Sequence, residues 1–141
     1  MSRKVVWLIA SCLAVAALFV VSCGPAVEEE TAPPKSGEWP ASTKFGELEF
    51  TVSADSTGIA KISFDFVEFK CGGSEVSGGV SIENANLWPI TDNQFAISTS
   101  AFQVWDMVIR GEFDKSGTRA FGTWEIEDTT CSGTWESSPA P

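Results

Sequence analysis

The chain has 141 residues, with 19 acidic against 9 basic side chains, a formal net charge of −10 and no histidine. So acidic a surface repels a phosphate backbone and excludes nucleic acid as a partner. The absence of imidazole removes Ser-His-Asp triads, histidine metal ligands and histidine acid–base work together.

Arg3 and Lys4 precede an apolar run, Val5–Val21, which closes on Ser22-Cys23-Gly24. A charged start, an apolar middle and small residues at a cleavage point are the layout of a secretory signal. The run has 17 residues, the lower limit for a bilayer span, and no basic residue flanks its end. A single-span anchor and plain secretion are the alternatives. The stretch Val20-Val21-Ser22-Cys23 resembles the lipobox of bacterial lipoproteins. That resemblance implies a signal peptide over 1–22, cleaved before Cys23, and a diacylglyceryl group on the Cys23 thiol. The membrane would then be a partner through this lipid, each buried methylene contributing about 0.8 kcal/mol. The implied location is the extracytoplasmic side of the bacterial cell envelope, and Gly24 in place of Asp permits sorting to an outer membrane.

Without Arg3 and Lys4, seven basic residues face nineteen acidic ones, a net charge of −12 beyond the signal. The acyl chains, rather than anionic headgroups, would have to do the anchoring. From 23 to 44 the composition shifts to Pro, Ser, Gly and Glu28-Glu29-Glu30, with Trp39 as the one large apolar residue. Such a stretch buries too little apolar surface to offset its ordering entropy and reads as a flexible tether. Its root-mean-square reach is on the order of 25 Å.

The stretch 45–137 alternates with period two and reads as a β domain. Leu48, Phe50 and Val52 share one face of a strand, and Ile62, Phe64 and Phe66 share one face of the next. The apolar phase then slips to Val67, Phe69 and Cys71, which places a β-bulge near Phe66. Val76, Val80 and Ile82 mark a third strand, Phe95 and Ile97 a fourth, and Trp105, Met107, Ile109 and Phe113 a fifth. Trp124 with Ile126, and Cys131 with Trp135, mark the last two. Turn residues separate them at Asp55–Gly58, Gly72–Ser74, Asp92-Asn93, Asp114–Gly117 and Glu127–Thr130. The expected fold is all-β and antiparallel, a β-sandwich or a flattened barrel of about 7–8 strands, with the sandwich preferred. Residues 138–141 form a short tail.

Gly111-Glu112-Phe113, Gly122-Thr123-Trp124 and Gly133-Thr134-Trp135 repeat a Gly-x-aromatic step at intervals of eleven. One strand plus one turn fits that interval, and a strand glycine lets a neighbouring ring lie across its backbone. These C-terminal steps resemble small, uncharacterised β-domains of secreted and lipid-anchored bacterial proteins, a resemblance that brings no activity with it.

Of four cysteines, Cys12 lies in the signal and Cys23 would carry lipid, which leaves Cys71 and Cys131 as a disulfide in an oxidising compartment. A two-thiol metal or redox site is the rival, but CxxC spacing is absent. No phosphate loop, EF-hand loop or Gly-x-Ser-x-Gly elbow occurs, so neither cofactor nor metal is expected. The carboxylates Glu112, Asp114, Glu125 and Glu127, with Asp65 and Glu68 beside the bulge, are the sole candidates for hydrolytic chemistry. Outward acidic residues more often keep a sheet soluble, and no enzyme is expected. Trp88, before Pro89 and off the alternating pattern, is the candidate binding residue, or else a lid on the core. The sequence thus points to a lipid-anchored interaction or structural module with an envelope protein as partner. The second reading is a small-ligand or carbohydrate-binding lipoprotein that uses exposed Trp.

Overall fold

In the computed structural model, residues 30–101 and 105–141 are described. Eight strands follow one another: β1 Gly37–Thr43, β2 Gly46–Val52, β3 Gly58–Cys71, β4 Ser74–Pro89, β5 Gln94–Ala101, β6 Trp105–Phe113, β7 Ala120–Ile126 and β8 Ser132–Ser137. They form one antiparallel sheet in the order β4-β3-β2-β1-β8-β7-β6-β5. Because β1 pairs with β8 at Ala41 and Ser137, the two meanders close on each other. Among the described residues the result is a nearly closed barrel, left unpaired at a seam between β4 and β5. Of the two architectures expected, the barrel is the one realised.

Period-two alternation sets which side chains face inward. Leu48, Phe50, Ile62, Phe64, Ile97, Met107, Ile109 and Trp124 are all 0–1% exposed. At this strand number side chains can fill the interior, and here aromatic rings do so. Phe45, in the β1–β2 turn, lies 4.8 Å from the Phe66 ring and 5.1 Å from that of Trp124. Phe50 contacts Trp39, Phe95 and Trp135 at 5.3–5.8 Å between centroids. Fully burying a ring of this size contributes roughly 2–3 kcal/mol.

The Gly-x-aromatic repeat works as a packing device. A Cβ added at Gly133 would run first into the Trp124 indole, at 2.7–2.9 Å. One added at Gly111 or Gly122 would meet the Trp135 ring at 2.7–2.8 Å. The aromatic of one step therefore lies over the glycines of its neighbours across the sheet.

The domain begins earlier than composition indicates. Gly37–Thr43, inside the stretch assigned to the tether, is strand β1, and Pro40 is accommodated opposite Glu49. Trp39 is fully buried, stacked on Phe50 at 5.8 Å and edge-on to Phe113 at 5.1 Å. Its indole N–H donates to the Lys35 carbonyl, 3.0 Å away. Upstream, the Ala32 and Lys35 N–H groups donate to the carbonyls of Lys115 and Gly117, and the Ser56 hydroxyl donates to the Pro34 carbonyl. One buried indole and a set of backbone hydrogen bonds outweigh the polar composition around them. In the tail, the Ala140 N–H donates to the Glu38 carbonyl.

The bulge occurs where the apolar phase slips. Pairing of β3 with β4 jumps from Phe66–Gly78 to Phe69–Val76. Glu68 there has φ 46°, and its N–H donates to Ser77 Oγ. Val67, expected to face inward, is 66% exposed, because it belongs to the bulge itself. Beyond the bulge, Phe69 packs on Phe45, Trp105 and Trp124. The Cys71–Cys131 disulfide then ties this hairpin tip to the β7–β8 turn, with 6.1 Å between the Cα atoms.

Candidate functional site

Cys23 lies outside the described residues, as does the whole stretch 1–29 that holds the signal and the lipobox-like motif. Trp88 is next to last in β4, opposite Ile59, and is half-buried against the core. Glu112 and Glu125 point outward from β6 and β7, and Arg110 forms an ion pair with Glu125 at 2.7 Å. Asp65 sits directly across from Glu47, while Glu68 stands in the bulge two residues past Phe66. Asp65, Glu47 and Glu49 line one shallow outer cleft, and Glu112 borders another.

Two exposed acidic turns are held by their own carboxylates. The Asp55 carboxyl is lowered below the ordinary aspartate value, first by the Ser53 hydroxyl, then by the hydroxyl and N–H of Thr57. The Asp114 carboxyl is lowered mainly by the Ser116 hydroxyl, helped by the N–H groups of Thr118 and Arg119. Because the folded pKa values lie below the unfolded ones, the stabilisation is complete above the ordinary carboxylate range. It is lost as pH falls through the folded values. Thermal melts should therefore drop on acidification below about pH 4, and Asp114→Asn should make that drop shallower. Identical pH profiles for the variant and the parent would refute this role.

Sequence reasoning misses Phe121, which is 45% exposed on the outer face of β7. Its one legible signal is a position opposite in phase to Trp124 and Ile126. It borders a shallow cleft of about 650 Å³ with Gln94, Arg110, Glu112 and Thr123. A second outer cleft, about 770 Å³, opens where β1 and β8 diverge from their single paired position, edged by Ser42, Glu47, Glu49, Thr134 and Glu136. Both clefts are on the outside of the barrel, as expected when rings fill the interior.

The third feature is the seam. Gln94 exchanges both of its backbone hydrogen bonds with Thr91 in the β4–β5 turn, each 2.9 Å, and no ladder joins β4 to β5 beyond that bridge among the described residues. Comparison of the chain with protein-family models, with curated proteins and with solved structures found no match.

Proposed function

We propose that this protein is a lipid-anchored extracytoplasmic module that acts through its outer surface on another envelope protein. The observation that carries this reading is the filled interior. With Trp39, Phe45, Phe50, Phe64 and Trp124 interlocked at the centre, recognition falls to the outside of the barrel. The disulfide supports an oxidising compartment, and the motif ending in Cys23 supports a lipid anchor there. An acidic surface favours a neutral or basic partner. Ligand binding through an exposed Trp draws no support from Trp88, which packs on the core.

Metabolic labelling of cells with a fatty-acid analogue tests the anchor. The parent chain should take up label and, once purified, show the mass of an acylated Cys23 with residues 1–22 removed. Cys23→Ser should lose the label entirely and keep its signal. An unmodified Cys23 in the parent chain would remove the anchor from this proposal.

A further inference from the structure

We propose that β5 is a docking edge for an extended strand of another protein, whose side chains alternate between apolar and neutral or basic. This rests on the reading of the protein as an interaction module and names the mode of binding.

The direction of the β5 backbone follows from three hydrogen bonds. The Gln94 N–H and carbonyl both bond to Thr91, on the side of β4, while the Asn93 carbonyl accepts from Phe113 at the end of β6. Successive residues of a strand aim their polar backbone groups to alternate sides. Phe95, Ile97, Thr99 and Ala101 therefore serve the β6 ladder. Ala96, Ser98 and Ser100 present their N–H and carbonyl groups to the seam, where β4 does not pair with them.

Free edges in natural sheets are blunted by charge, proline, glycine kinks or bulges. On the far side of the seam β4 has all of these: Glu75 and Glu83, Pro89, Gly78 at φ 116° and Leu87 at φ 57°. By contrast β5, Gln94–Ala101, has no charge, no proline and no glycine. Its seam-facing positions have small, exposed side chains that leave room for a neighbouring backbone. The inner surface next to the gap is also incompletely covered. Val76, Val80 and Ile82 on β4 are only partly buried, whereas Phe95 and Ile97 on β5 are at most 5% exposed. Apolar side chains on an added strand would cover them, while main-chain hydrogen bonds supply affinity. The net charge of −12 beyond the signal selects against acidic residues in that strand.

The test is selection of a displayed library of eight-residue peptides against the purified protein, followed by amide exchange with a selected peptide bound. Selected sequences should alternate apolar with neutral or basic residues. They should slow exchange at Ala96, Ser98 and Ser100 by about tenfold or more. Ser98→Pro removes a seam-facing N–H without touching the β6 ladder, so it should keep its melting temperature and lose binding at least tenfold. Ala96→Pro serves the same purpose should the first variant not fold. The proposal is overturned by any of three results: a monomer whose Ala96, Ser98 and Ser100 amides are protected without peptide, selected peptides that protect another surface, or Ser98→Pro binding like the parent. Protection that rises with protein concentration alongside a dimer mass would give the edge to a second copy instead. Acylation is read separately. An acylated protein with an inert edge loses only the seam, and a binding edge on an unacylated chain loses only the anchor.

Discussion

Gly122→Ala is expected to destabilise the domain by about 3 kcal/mol or more, the largest effect of any single methyl group added in the β6–β8 sheet. The new Cβ would run into the Arg110 carbonyl oxygen on β6 and approach the Trp135 ring to 2.7 Å. A ring can tilt, but a carbonyl inside a strand ladder moves only with its strand. Gly133→Ala is the internal comparison, since the atoms nearest its Cβ all belong to the Trp124 indole. That substitution should cost about 1–3 kcal/mol, the usual range for overpacking that side chains absorb. Urea unfolding of the two variants decides the matter. Equal losses would mean that ring overlap, and not backbone closeness, sets the need for glycine at both positions.

Replacing both Cys71 and Cys131 by Ser should cost about 4 kcal/mol on the chain-entropy model, since the bridge spans a sequence separation of 60. The loss should also be local. The bond holds the β3–β4 tip beyond the bulge, where Phe69 covers Phe45, Trp105 and Trp124. In the double variant, amides of 69–76 should exchange ahead of global unfolding, while those of β6 and β7 keep the global rate. A bridge that acted only on the unfolded chain would speed all core amides alike. The comparison therefore separates the entropic effect from the stapling of the tip.

Much of the β domain was legible because its signals are local. Period two identified Leu48, Phe50 and Val52 as one buried face, and the slip after Phe66 located the bulge. Asp55–Gly58 and Asp114–Gly117 form turns where Asp, Ser and Gly predict them, with Asp114 accepting from Ser116, Thr118 and Arg119. The Gly-x-aromatic interval foretold that rings would cross glycines, as Trp124 and Trp135 do. Strand β1 was hidden because a single indole carries its burial, and the surrounding Pro, Ser and Glu dominate the composition. Val67 reads as inward because the phase of a bulge is legible to within one residue but not on it. Phe121 is hard to read because the Gly-x-aromatic repeat beside it marks the inward Trp124, and its own outward phase resembles that of any surface residue.

By itself, the sequence determined the all-β class, the turn positions, the bulge and the pairing of Cys71 with Cys131. Each of these follows from side-chain periodicity, turn chemistry or cysteine count within short stretches of chain. Only the tertiary structure decided that β1 meets β8 at Ala41 and Ser137, that Trp39 completes the core and Trp88 lies half-buried on it, and that β4 and β5 do not pair. Barrel closure depends on the summed twist and register of eight strands and on contacts between residues nearly a hundred positions apart. No local pattern encodes that sum, and the seam is where it falls short of a closed ring.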